Sequence, residues 1–153
     1  MLKVTLDTNC IVDLEQINAE ASYLKRLIEM HSDQKISLRA VAISASERRP
    51  DHSYVSNFNE FKRRLDAIGL GNVEILPTIL YLGIGFFGYS LFGGGELDEL
   101  ESKIQRILFP AIELEFREFC EKRGLDLEDR KAWQKWVNKK CDVLAMWSHL
   151  ASR

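Results

Sequence analysis

Residues 4–14 read VTLDTNCIVDL, and the fold turns on how this stretch is parsed. Leu2, Val4 and Leu6 alternate with polar neighbours, the period-two pattern of a strand. At Asp7 the alternation stops. Thr8 and Asn9 turn the chain, and Ile11, Val12 and Leu14 resume at helical spacing. The stretch is a strand, a turn and a helix with a carboxylate at the junction. A carboxylate ending a buried strand is costly unless something compensates it. A helix cap, a basic side chain or a metal ion would each serve.

Working outward, Ala21, Leu24, Leu27 and Ile28 mark one face of a helix over 19–30. KISLRAVAIS, residues 35–44, is rich in Ile, Val and Ala, as expected of a central strand covered on both faces. NFNEFKRRLDAIG, from Asn57, predicts a helix with Phe58, Phe61, Leu65 and Ile68 on one side. Asn57 and Glu60 form a capping box, and Gly69 is a natural stop. VEILPTILYLGI predicts a further strand or two, broken by Pro77. Glu96, Asp98 and Glu99 then open a long helix, acids at its positive end. Its stripe runs Leu97, Leu100, Ile104, Leu108, Ile112, Phe119, with a kink at Pro110. A last helix spans about 129–151. Strand, helix, strand with helices before and after predicts an α/β fold, a short parallel sheet flanked by helices. Residues 1–153 read as a single domain, with 48–128 a large, mostly helical insertion.

The chain has 153 residues, enough for one domain with a real core, and its 46% apolar and 29% charged residues are ordinary for a globular protein. A net charge of -2 provides no global basic field for nucleic acid, so a polyanion must be gripped by local patches. Three cysteines, Cys10, Cys120 and Cys141, have neither disulfide nor zinc spacing, which suits a reducing compartment. The N-terminus lacks the apolar core of a signal peptide, and the expected location is the cytoplasm. Residues 75–95 carry no charge across roughly the length of a membrane span. Six glycines and Pro77 disfavour a helix there, so a buried strand and a glycine-rich apolar loop are expected, with no membrane insertion.

Sites in parallel α/β sheets form at the carboxyl ends of strands. Asp7 ends the first strand, and Glu47 follows the second by three residues in AISASERR. Asp142 is the only acid after Asp129. Brought together, three carboxylates repel unless a hard divalent cation such as Mg²⁺ or Mn²⁺ binds them. Taken singly, each has a plainer role: Asp7 as a cap, Glu47 paired with Arg48 or Arg49, Asp142 paired with Lys139. Lys62-Arg63-Arg64 and Lys139-Lys140 read as solvated basic faces. Arg48 and Arg49 are placed to reach a phosphate held at the acids. Cys10 has no histidine partner in sequence, and His31, His52 and His149 read as surface or structural groups. Trp133, Trp136 and Trp147 read as core at helical spacing. GGGELDEL lacks the Lys-Ser/Thr of a phosphate-binding loop.

The order of these pieces resembles the PIN-domain nucleases: a hydrophobic N-terminal strand running into Asp-Thr-Asn and a helix, then "ISASE", then "CDVLAMWSHLA" late in the chain. The resemblance covers about 1–47 and 136–153. It implies a PIN-like α/β fold cleaving phosphodiester bonds, usually in RNA, as a Mg²⁺- or Mn²⁺-dependent ribonuclease. It makes Asp7, Glu47 and Asp142 the catalytic, metal-binding acids, Asp142 heading its helix. Asn9, Arg48 and Arg49 then face the nucleic acid.

PIN domains continue past the third acid into another strand, commonly near a fourth acid. The resemblance therefore leads one to expect a weak nuclease with an open sheet edge, prone to form a homodimer. Two other functions follow from the same pattern. One is a non-catalytic PIN-like module that binds a protein partner through 75–95. The other is the toxin ribonuclease of a toxin–antitoxin pair.

Overall fold

The computed structural model describes residues 1–47 and 54–152. Its principal sheet has three parallel strands in the order β1-β2-β3: β1 is Leu2–Leu6, β2 is Ile36–Val41 and β3 is Glu74–Leu76. Two helices, α1 (Thr8–Gln16) and α2 (Ala21–Ser32), connect β1 to β2. The junction at Asp7 is the expected strand, turn and helix.

The second strand is shorter than its composition suggests. It ends at Val41, and Ala42–Ser46 form a 3₁₀ turn that carries the chain to Glu47. Glu47 thus lies six residues past the strand rather than three. Small residues permit the turn: Ala42, Ser44 and Ala45 are buried within it. β2 is enclosed on both faces. Leu38 and Ala40 join one apolar core with Leu6, Ile11, Phe58 and Phe61. Val41 joins a second core with Leu76, Trp136 and Leu144. The one charge in the strand, buried Arg39, pairs with Glu74 across to β3 at 2.8 Å and donates to the Ser152 carbonyl at 2.9 Å.

The helix α3 spans Phe58–Ala67. Asn57 Oδ1 accepts from the Glu60 amide at 3.1 Å, and Glu60 reaches back one residue further than expected, to the Ser56 amide and hydroxyl. Such a cap is worth about 1 kcal/mol. Phe61 and Leu65 fill the first core beneath the sheet.

Residues around Pro77 form two strands that diverge. β3 joins the principal sheet, so the stretch 48–128 contributes a strand to it. β4 (Thr78–Ile79) pairs in parallel with β5 (Ser90–Leu91) in a separate small sheet. Among the described residues, no helix is long and apolar enough to cross a membrane.

The long helix expected after Gly95 is two helices, α4 (Glu96–Leu108) and α5 (Phe116–Arg123). The cause is Pro110, which has no amide hydrogen and forces the residue before it out of the helical region. Phe109 accordingly sits at φ −139°, ψ 65°.

The last helix, α6, spans Arg130–Ala151, with Asp129 capping the Lys131 and Ala132 amides. It packs on the second core through Trp136, Cys141, Val143, Leu144 and Trp147. The indole N–H of Trp136 donates to the Glu113 carbonyl and that of Trp147 to the Leu97 carbonyl, each at 3.0 Å. Two of the three tryptophans are therefore core, as their spacing predicts, and α6 lies beside the ends of β1 and β2.

Candidate carboxylate site

Three separate pieces of backbone carry the expected acids. Asp7 follows Leu6 at the end of β1, Glu47 follows the 3₁₀ turn, and Asp142 lies mid-way along α6. Asp142 does not head its helix as the resemblance implies; Asp129 does. The packing of α6 across the strand ends, and not a helix start, sets its position.

Asp7 occupies the N-cap position of α1, yet its carboxylate caps nothing: the side chain makes no bond to the helix amides. Its backbone carbonyl accepts from the Cys10 amide at 3.0 Å. The carboxylate instead accepts from Asn9 Nδ2 at 3.3 Å, and both side chains face solvent. Asn9 thus orients Asp7.

Glu47 is half-buried, and its carboxyl is pushed up to about 7. Burial is the largest cause, and the charges of Asp7 and Asp142 act in the same direction. A hydrogen bond from buried Thr8 opposes them. The Thr8 and Ser44 hydroxyls lie 2.7 Å apart, linking the first turn of α1 to the 3₁₀ turn that presents Glu47. Asp142 is raised as well, by burial first and by Asp7, while Lys139 lowers it. The plainer pairing of Asp142 with Lys139 is not formed. The Lys139 ammonium lies over the Phe109 ring, 4.6 Å from its centroid, and Asp142 makes no ion pair among the described residues.

Each pair among the three acids is therefore electrostatically coupled, and Asp142 is the hinge of the arrangement. A cleft of about 490 Å³ is lined by Asp7 and Asp142 together with Thr5, Phe109, Met146 and His149. A second, about 310 Å³, is lined by Glu47, Asp142, Gln134 and Asn138. Asp142 belongs to both.

The donors are all carboxylate oxygens, the class preferred by a hard divalent cation. Among the described residues, no group of three His, Cys, Asp or Glu stands ready around one point to hold a metal ion. The donor chemistry fits such an ion, and side-chain rotation would be needed to complete a ligand set. Cys141, adjacent in sequence, is no candidate: burial and the charges of Glu47 and Asp142 push its thiol up, away from the thiolate.

Some residues escaped the linear reading. His149 lines the first cleft, its Nδ1 2.7 Å from Thr5 Oγ1, and Gln134 and Asn138 line the second. The signal was present, since 134, 138, 142 and 149 fall on one face of a helix. Lys140 is no part of a solvated basic face: it is buried against Glu101. In the cluster 62–64, Arg64 holds Glu15 through two hydrogen bonds at 2.7 and 2.8 Å, and Lys62 lies over the Tyr89 ring. Arg48, Arg49 and His52 lie outside the described residues.

Comparison of the chain with family models, with curated proteins and with solved structures returned no match.

Proposed function

We propose that this chain is a PIN-like, metal-dependent phosphodiesterase acting on RNA, with Asp7, Glu47 and Asp142 as its metal-binding acids. One observation carries the reading: a half-buried Glu47 whose carboxyl is raised to about 7, chiefly by burial and further by the charges of Asp7 and Asp142, with Asp142 lining a cleft with each of the other two acids. Mutually repelling carboxylates beside an open cleft are unfavourable for folding, and a divalent cation relieves that repulsion. The parallel sheet flanked by helices is compatible with the fold this reading requires.

A bound Mg²⁺ or Mn²⁺ supplies activation of water and neutralisation of charge on the phosphate. The protein's own groups do the rest. Asn9 holds the Asp7 carboxylate in place, Thr8 hydrogen-bonds Glu47, and Lys139 stands near Asp142 where a phosphate needs a counter-charge. Three free cysteines, two of them buried, suit a cytoplasmic setting.

The test is Mn²⁺ binding by calorimetry beside cleavage of labelled single-stranded RNA. Metal-dependent cleavage that disappears in Glu47→Gln supports the reading. Absence of Mn²⁺ binding to the unaltered protein ends it.

A specific feature favours a second reading, a non-catalytic module that binds a protein. Leu82 and Phe87, between β4 and β5, and Phe92, just after β5, are each about three-quarters or more open to solvent. Large apolar side chains this open, where they form one patch, mark a contact surface. Polar substitutions at all three that abolish self-association or partner capture, in a protein without metal-dependent cleavage, favour this reading over the first.

A further inference from the structure

The outer strand of the principal sheet is open on one side. β3 pairs with β2, and no other backbone hydrogen bond reaches residues 74–76 among the described residues. Successive backbone groups of a strand point to opposite edges, so β3 turns part of its N–H and C=O complement away from β2. Beside it lies a groove of about 510 Å³, lined by residues of both β3 and α3. Its apolar lining, Leu65, Val73 and Ile75, belongs to the first core. It shares no lining residue with either cleft at the acids.

The charged part of the lining is mainly cationic. Lys62 and Arg63, both exposed, face the groove from α3. Asp66 also lines it, at helical spacing for an ion pair with either, yet pairs with neither. Its carboxylate lies against the Gly71 backbone instead, where it leaves no room for a Cβ. The Lys62 ammonium rests over the Tyr89 ring, 4.9 Å from its centroid, and that ring is stacked on Phe58. Arg63 has no acidic partner among the described residues. Glu74, the acid of the strand itself, alternates to the other face of the sheet and is held by Arg39. Two cations without acids thus flank an open strand edge, in a chain whose net charge is -2.

We propose that this groove is a docking site for an extended acidic segment of a partner protein, which adds to the free edge of β3 as a further strand and sets carboxylates against Lys62 and Arg63. Main-chain hydrogen bonds to the edge supply affinity, and side chains at alternate positions of the added strand face the groove and supply specificity. A second copy of this chain fits poorly, because joining two β3 edges brings the Lys62 and Arg63 of one copy toward those of the other. A nucleic acid would satisfy the cations and leave the edge amides and carbonyls without partners. The site stands apart from the acids and holds under either reading of them.

The probe is a displayed library of random linear peptides, panned on the full chain. Enriched peptides are expected to carry Asp or Glu at alternate positions. One of them is then labelled and its affinity measured by fluorescence anisotropy. Lys62→Glu/Arg63→Glu should weaken it about tenfold or more, while Lys62→Arg/Arg63→Lys retains it. Lys103→Glu/Lys131→Glu, the same charge change at exposed residues elsewhere, should leave affinity within about twofold. N-methylation of alternate peptide amides, in the register that faces β3, should also weaken binding about tenfold, since it removes donors without altering charge. Hydrogen exchange at residues 73–76 should slow when the peptide binds. All four altered residues are exposed, and circular dichroism confirms the fold of each variant. The proposal is overturned if no peptide is enriched, if the enriched peptides lack acids, or if the two charge-reversed variants weaken binding equally. Affinity indifferent to N-methylation in both registers overturns it too. RNA binding or self-association that is lost in Lys62→Glu/Arg63→Glu, with no peptide enriched, gives the groove to that occupant instead.

Discussion

Lys140 and Glu101 form an ion pair inside the second core, their side chains 1% and 2% exposed. The pair joins α6 to α4. The ammonium also donates to the Leu114 carbonyl at 3.1 Å and lies 3.8 Å from the Tyr81 ring centroid. The Tyr81 hydroxyl in turn donates to Glu101 and is within 3.2 Å of Glu115. Burial pulls the Lys140 ammonium below its usual range, and Glu101 opposes that shift.

Breaking this pair from one side leaves an uncompensated buried charge. Lys140→Met or Glu101→Gln is expected to destabilise the protein by about 3–5 kcal/mol. The double variant Lys140→Met/Glu101→Leu should recover much of that loss, because neither charge is then stranded. Urea denaturation of the four proteins checks this; a double variant no more stable than the worse single one counts against it.

Glu47 predicts a pH dependence in the metal-free protein. Its folded carboxyl is at about 7 against the ordinary 4.5, so the native state favours the protonated form. The associated stability is present in full below about 4.5 and is lost as pH rises through about 7. At about 1.4 kcal/mol per pH unit the whole effect is about 3 kcal/mol. Glu47→Gln should remove most of the slope between pH 5 and 8 and be the more stable protein at pH 8. A slope unchanged in Glu47→Gln would place its source elsewhere.

Asp7 predicts a separation of roles. Its carboxylate makes no helix-cap bond, so Asp7→Asn should leave thermal stability within about 0.5 kcal/mol, the usual range for a surface change. The same change should weaken Mn²⁺ binding at least tenfold by calorimetry. Stability lost together with unaltered Mn²⁺ affinity would make Asp7 a structural residue only.

Arg48 and Arg49 follow Glu47 directly in sequence. Their joint change to Ala should lower affinity for single-stranded RNA and flatten its salt dependence by about two counterions, if both contact phosphate. An unaltered salt slope would remove them from the site.

Local chemistry wrote the parts of this protein that neighbours along the chain decide. The alternation of Val4 and Leu6 ending at Asp7, the Asn57 cap of α3 and the apolar face of α6 are near-neighbour patterns, and each is found where its spacing places it. Pro77 and Pro110 also acted locally, but more strongly than a kink: one divides two strands between separate sheets, the other ends a helix. Tertiary packing decided the rest. No spacing tells that Lys140 turns inward to Glu101 while Lys139, next to it, turns toward Phe109, because the two face different sides of one helix. Nor does any spacing bring Asp142 within electrostatic reach of Asp7 and Glu47, residues 135 and 95 positions away by their numbers. That proximity depends on α6 packing beside β2 and the 3₁₀ turn, and the burial of Trp136, Leu144 and Trp147 holds it there.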